Sequence, residues 1–184
     1  MRIIAGRNRS IRLDTLDGNN TRPTLDRVKE ALFSSLENYI EDYENVLDLF
    51  AGSGALGLEC NSRYDSNVTF VDKSNKAIRI IKNNIKKCKA ENSSNVYNMN
   101  YKEYIKKAKE ENAKFDIIFL DPPYIFDGHK IIQEMIESGI TKKDTIIVYE
   151  TDNEKIVEKI SKDEKITILK TKKYGRIFLN YITT

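Results

Sequence analysis

Strand-like and helix-like segments alternate along most of this chain, and that alternation restricts its fold more than any other feature. The strand-like runs are NVLDLF, NVTFVD, NVYNM, FDIIFLD and DTIIVYE. Between them lie ALGLECNSR, NKAIRIIKNNIKKCKA, YKEYIKKAKEE and HKIIQEMIES, and NEKIVEKIS follows the fifth run. Strands alternating with helices imply a parallel sheet covered on both faces. The closing stretch, KITILKTKKYGRIFLNYI, reads as two strands about a Tyr174-Gly175 corner. That corner requires one antiparallel strand in an otherwise parallel α/β sheet.

Two segments precede the alternation. RIIAG and SIRL read as a small β-hairpin turning at Gly6-Arg7-Asn8-Arg9. TRPTLDRVKEALFSSLENY has apolar residues at Leu25, Val28, Leu32 and Leu36, which is helical spacing, with Pro23 near its start. At 184 residues the chain suits one domain. The expectation is a single domain over residues 1–184, with residues 1–20 as a basic N-terminal arm. No apolar run approaches the ~18 residues of a membrane span, and the first apolar stretch is too short for a signal peptide. A cytoplasmic monomer with no membrane contact is expected. Cys60 and Cys88 lack metal-ligand spacing, and His129 is the only histidine, so no metal site is expected.

DLFAGSGALGLE, from Asp48 to Glu59, contains G-x-G-x-x-G at Gly52, Gly54 and Gly57. Glycine permits a tight turn between strand and helix and close approach of a ligand. A side chain at Gly54 is expected to stand in that ligand's path. The next strand-like run ends at Asp72, twenty residues after Gly52. An acid so placed can hold the hydroxyls of a ribose. Asp48 then separates the cofactor classes. A pyrophosphate would be repelled by this carboxylate, whereas the amine and sulfonium of S-adenosylmethionine would be attracted.

The second motif is FDIIFLDPPYIF. Pro122 and Pro123 end the strand and fix its backbone, so Asp121 and Tyr124 stand at the strand's carboxyl end, beside the expected cofactor. This arrangement suits methylation of an exocyclic base amine. Hydrogen bonds from the amine to a carboxylate and a carbonyl favour a pyramidal nitrogen, and Tyr124 can stack on a base drawn out of its helix. Transfer then depends on positioning and electrostatics. Guanine offers two adjacent donors, N1–H and the N2 amine, to one carboxylate, so Asp121 favours guanine over adenine.

Six of the nine arginines fall within the first 27 residues: Arg2, Arg7, Arg9, Arg12, Arg22 and Arg27. Arginine's planar fork suits phosphate, so the N-terminal segment reads as a nucleic-acid arm. Arg176, at the closing corner, is counted with Arg2, Arg7, Arg9, Arg12 and Arg27 as an RNA contact.

These motifs resemble those of the RsmD-type methyltransferases, which methylate guanine N2 in bacterial 16S ribosomal RNA. The resemblance rests on RIIAG, TRPTLDRVKEALF, VLDLFAGSGALGLE, FVDKS, FDIIFLDPPY and the YG at Tyr174. It implies a Rossmann-like class I methyltransferase sheet preceded by a β-hairpin. It implies that Asp48, Gly52, Ser53 and Gly54 contact S-adenosylmethionine, that Asp72 binds its ribose, and that Asp121 to Tyr124 hold the guanine. Arg22 and Thr24 are implied near the methionine end or the substrate. Asn100 would face the adenine through its amide, and Phe50, Lys73 and Tyr101 complete the expected cofactor set. Ribosomal RNA, free or within an assembled or partly assembled small subunit, is the implied partner.

Three other readings stay open on the sequence. An NAD-dependent oxidoreductase explains the glycines and Asp72 but neither Asp48 nor DPPY. A DNA or RNA adenine-N6 methyltransferase explains DPPY, but no target-recognition insert is apparent. A non-catalytic RNA-binding protein explains only the arm.

Overall fold

The computed structural model describes residues 1–16, 23–40, 43–123 and 125–184, with residues 23–25 by backbone alone. Six α-helices and seven strands are described. They are α1 (Pro23–Leu36), β1 (Asn45–Leu49), α2 (Ala55–Tyr64), β2 (Asn67–Asp72), α3 (Asn75–Lys87), β3 (Ser94–Asn98), α4 (Tyr101–Glu110), β4 (Ile117–Leu120), α5 (Gly128–Ser138), β5 (Ile146–Thr151), α6 (Glu154–Ser161), β6 (Thr167–Tyr174) and β7 (Ile177–Thr183). The sheet order is β3-β2-β1-β4-β5-β7-β6. Strands β1 to β5 pair in parallel, and β7 runs antiparallel to both β5 and β6. This is the mostly parallel sheet with one antiparallel strand that the alternation predicts. The strand order reverses between β1 and β4, and in open α/β sheets ligands bind at that switch, outside the carboxyl ends of the strands.

Successive strand residues face opposite sides of the sheet. Val46, Phe70, Phe119 and Val148 join one core with Leu32, Phe33 and Leu36 of α1, Leu58 of α2 and Ile81 of α3. Leu47, Leu49, Leu120 and Tyr149 join the other with helices α4, α5 and α6. The Phe33 ring packs on Phe119 at 5.9 Å between centroids. Truncating such a buried ring costs about 3–5 kcal/mol, so α1 is fixed on the sheet beside the switch point.

The N-terminal segment turns back as a short hairpin, with one antiparallel bridge between Arg2 and Arg12 in place of two strands. Helix α2 takes the backbone groups that a longer ladder would use. Glu59, fully buried, accepts the N–H groups of Ile4 at 2.9 Å and Ala5 at 3.0 Å. Arg7 donates its backbone N–H to the Ser62 carbonyl at 2.9 Å. Ile3 and Leu13 are buried in the core. A Cβ on Gly6 would lie 1.8 Å from the Ser62 carbonyl oxygen, so only glycine permits this approach. The segment is therefore docked on the fold rather than projecting from it as an arm.

Candidate cofactor and substrate site

Strand β1 delivers the chain into a tight loop at the switch point. Phe50, Gly52 and Gly54 all have positive φ, at 73°, 56° and 74°. For Phe50 that conformation is strained, by order ~1 kcal/mol or more. Two N–H groups hold it in place: those of Phe50 and Ala51 both donate to the Val71 carbonyl, at 3.1 and 3.0 Å. The Gly52 N–H donates to Asp72 Oδ2 at 2.9 Å, and the Ser74 N–H to Asp72 Oδ1 at 2.8 Å. Each oxygen keeps a lone pair for a ligand hydroxyl. Asn84 of α3 braces the loop from behind, donating to the carbonyls of Ser53 at 2.9 Å and Asp14 at 3.0 Å.

The three glycines have different tasks. A Cβ on Gly52 would meet nothing within 4 Å. One on Gly57 would lie 2.5 Å from the Phe70 ring, so this glycine sets the approach of α2 to β2. One on Gly54 would point at Phe70, 3.1 Å away, and at Ile81. Gly54 caps α2 and lines neither of the two cavities at the switch point. A Gly54 side chain, expected to stand in the ligand's path, would instead meet the core, and Gly52 is the position that opens onto the cavities.

The first cavity, ≈ 770 Å³, is lined by Phe50, Gly52, Asp72, Lys73, Asn100, Tyr101, Asp121, Pro122 and Pro123, together with Leu16, Val71, Met99, Lys102 and Phe126. Every one of the first nine is expected at the site from sequence. Phe50, Tyr101 and Phe126 form an aromatic triad with centroids 5.4 to 5.7 Å apart. Asn100 lines the cavity, but its amide oxygen is engaged: it caps α4 by accepting the Glu103 N–H at 3.0 Å. Adenine recognition through that oxygen is thereby limited to its second lone pair.

The second cavity, ≈ 260 Å³, shares Phe50, Gly52 and Asp121 with the first and adds Asp48, Ser53, Glu150, Lys29 and Met1. Three acids therefore face one space. Asp48 is buried and accepts the Gly57 N–H at 3.0 Å. Burial pushes its pKa up to about 7 against that hydrogen bond, and the negative Asp121 and Asp72 add to the rise. Asp121 is reached by solvent from the cavity, yet protein crowds it on its other sides and raises it to about 6. Water in the open cavity tempers that rise. Glu150 is raised to about 7 by burial and by the charge of Asp121. The one lysine, Lys29, is turned away into a buried ion pair with Glu59 at 2.9 Å.

The sequence-predicted arginines divide. Arg2 pairs with Asp26 at 2.9 Å, and Arg7 with Asp65 and Asn61. These two are engaged within the fold, though both side chains stay partly exposed, at 55% and 44%. Arg9, Arg12, Arg27 and Arg176 are exposed and make no ion pair among the described residues. Arg12 and Arg27 line a cleft beside α1. Arg176 follows the β6–β7 turn, at the carboxyl end of β5, where Thr151 pairs with Phe178. Arg22 and Tyr124 lie outside the described residues, as does the side chain of Thr24. Glu150, Phe126, Lys29 and Asn84 are site residues that the motifs do not indicate. Glu150 has a signal: like Asp48, it is an acid near the carboxyl end of an apolar strand. The others meet the site only through packing.

The family described as Conserved hypothetical protein 95 matches residues 1–183. The chain is 37% identical to the Ribosomal RNA small subunit methyltransferase D of Haemophilus influenzae over 178 residues, covering 95% of this chain and 89% of that protein. It is 34% identical to the protein of the same name from Buchnera aphidicola over 154 residues, covering 83% of this chain and 76% of that protein. A solved structure of a Thermus thermophilus protein superposes with a TM-score of 0.80 at 26% identity, covering 100% of this chain and 99% of that one. With its switch-point cavities and its match over nearly the full length, this chain belongs to the Conserved hypothetical protein 95 family, the RsmD family of methyltransferases.

Proposed function

We propose that this protein transfers a methyl group from S-adenosylmethionine to the exocyclic N2 amine of a guanine in small-subunit (16S) ribosomal RNA. One observation carries the reading: Asp48, Asp121 and Glu150 gather at one cavity beside the glycine loop, and the one lysine lining that cavity, Lys29, is already paired with Glu59. A pyrophosphate would be repelled there, which disfavours a dinucleotide. A ligand carrying an amine and a sulfonium answers the same acids.

The residues fit this cofactor. Asp72 has lone pairs to spare for two ribose hydroxyls, the aromatic triad offers an apolar wall for adenine, and Asp48 and Ser53 face the amino-acid end. When bound, S-adenosylmethionine supplies an electrophilic methyl on a positive sulfur. The remaining work falls to this chain's own groups. Asp121 accepts hydrogen bonds from guanine N1–H and N2–H and aims the amine's lone pair. Pro122 and Pro123 hold the backbone that carries it. Fixing a reactant in this way can replace several kcal/mol of the barrier by prior positioning. Tyr124 completes the motif as the stacking ring. Arg9, Arg12, Arg27 and Arg176, exposed and without ion pairs among the described residues, supply phosphate contacts. The unit proposed is one methyltransferase domain, acting as a cytoplasmic monomer on ribosomal RNA, free or within a partly assembled subunit.

The test is nucleoside analysis by mass spectrometry of small-subunit RNA after incubation with the protein and S-adenosylmethionine. N2-methylguanosine is expected. N6-methyladenosine would establish the adenine reading instead, and unmodified RNA from both free and particle substrates would refute the function.

A further inference from the structure

Glu150 stands where the reaction needs a group that no motif provides. Strands β4 and β5 are parallel, and their last paired residues are Leu120 and Tyr149. Asp121 and Glu150 are the next positions on each strand, one inter-strand spacing of roughly 4.8 Å apart. Leu120 and Tyr149 both face the α4–α6 core. Alternation therefore turns Asp121 and Glu150 together onto the opposite face, toward Asp48, and all three line the same cavity.

The pair is also unusual in having no partner. Two fully or nearly fully buried acids, by contrast, are satisfied. Glu59 is held by Lys29, Arg63 and two backbone N–H groups. Asp116 pairs with Lys142 and accepts the Asn45 N–H at 2.8 Å. Among the described residues, neither Asp121 nor Glu150 accepts a hydrogen bond or makes an ion pair. Two adjacent carboxylates, one exposed and one half-buried, with no protein donor repel each other, and such an arrangement in a cleft points to a functional site.

We propose that Glu150 is the proton acceptor of the methyl transfer, placed beside the amine that Asp121 holds; this rests on the methyltransferase reading above. As the amine's lone pair forms the nitrogen–carbon bond, the carbon–sulfur bond breaks and its electron pair leaves with sulfur, which becomes neutral. The nitrogen, now positive, must lose one proton. The N–H bonding pair returns to nitrogen and the proton passes to a Glu150 oxygen. Lys29 is engaged elsewhere, as a donor to Glu59 and to the Arg2 carbonyl. Asp48 lies deeper and is tied to the Gly57 N–H.

The ionisable groups that share the cavity of Glu150 are Asp121 beyond β4, Asp48 on β1, the amino group of Met1 and Lys29 on α1, whose ammonium is paired with Glu59. Burial and the negative charge of Asp121 favour the protonated form of Glu150. A carboxylate serving as acceptor must be ionised, so the rate should rise with pH through the Glu150 titration.

Two measurements on Glu150→Gln test this. The first is carbon-13 NMR of the protein without cofactor, labelled at glutamate side-chain carboxyls: one signal of the parent should titrate near neutrality and be missing in the variant. The second is single-turnover transfer to small-subunit RNA against pH with cofactor saturating. Glu150→Gln should slow transfer about a hundredfold and move the acidic limb down to the titration of Asp121, with cofactor affinity reduced far less than the rate. Glu150→Asp should restore the limb if the variant's fold is sound. A glutamine variant with the parental rate, a slower variant with an unchanged pH profile, or no glutamate titrating above its ordinary range would each overturn the proposal. A parent protein that forms no N2-methylguanosine would instead overturn the reading beneath it.

Discussion

The Gly52 backbone N–H donates to the Asp72 carboxylate at 2.9 Å, joining the ligand loop to the end of the neighbouring strand. Asp72 thus holds the loop, and under the proposed function it also presents its free lone pairs to a ribose. Asp72→Ala removes both. Hydrogen bonds to a charged group contribute about 1.5–3 kcal/mol each, so losing two should weaken cofactor binding by roughly a hundredfold or more. Asp72→Asn keeps one acceptor and should lose about tenfold. Calorimetric titration with S-adenosylmethionine measures both, and an alanine variant within threefold of the parent would remove Asp72 from the site.

Gly52 and Gly54 sit two residues apart in one motif, yet their substitutions should fail differently. A side chain on Gly52 projects into open space, so Gly52→Val should keep the fold, less about 1–3 kcal/mol of backbone strain, and abolish cofactor binding. A side chain on Gly54 meets the Phe70 ring in the core, so Gly54→Val should lower the melting temperature as its main effect. Thermal unfolding paired with titration separates the two. A Gly52→Val protein that still binds would show that the ligand does not pass this loop.

The mostly parallel sheet and its single antiparallel strand are legible because β1, β2, β4 and β5 are short, largely apolar runs bounded by turn residues and separated by helical spacing. Asp48, Asp72 and Asp121 are legible because an acid at the carboxyl end of a buried strand needs a reason. What the sequence hides depends on distant contacts. Nothing in RIIAGRNRSIRL indicates that Glu59, more than fifty residues later, takes its backbone donors and leaves only one bridge. For the same reason Arg2 and Arg7 cannot be told from Arg9 and Arg12, since Asp26 and Asp65 reach the first pair only in the fold. Gly54 misleads because a motif records where glycine occurs, and the direction of the missing Cβ needs coordinates.

The arginine division predicts two phenotypes. Arg9→Ala, Arg12→Ala and Arg27→Ala combined should weaken RNA binding and flatten its dependence on salt, by at most about one unit of log–log slope for each phosphate no longer neutralised. Thermal stability and cofactor affinity should not change. Arg7→Ala should do the reverse, lowering stability with little effect on the slope, because it removes the bonds to Asp65 and Asn61. Filter binding across a salt series provides the slopes, and a flattened slope in Arg7→Ala alone would invert the assignment.

Asp48 links pH to both stability and cofactor binding, in opposite directions. Its native pKa is raised from 3.8 to about 7, so the native state holds a proton that the unfolded chain releases. The stability contributed by this site is present below pH 4 and declines as pH rises, levelling off above 7. At about 1.4 kcal/mol for each pH unit between the two pKa values, the fall reaches ~4 kcal/mol at most. A cationic ligand needs the ionised carboxylate. Affinity for S-adenosylmethionine should therefore rise from pH 6 to pH 8, accompanied by proton release. Asp48→Asn should be more stable than the parent at pH 8 and should bind the cofactor more weakly there. Its affinity should change less with pH, although Asp121 and Glu150 leave some dependence behind. Calorimetry in buffers of different ionisation enthalpy counts the protons released on binding. If the parent and Asp48→Asn release the same number at pH 6.5, Asp48 is not ionised by the cofactor and its place at the amino-acid end is wrong.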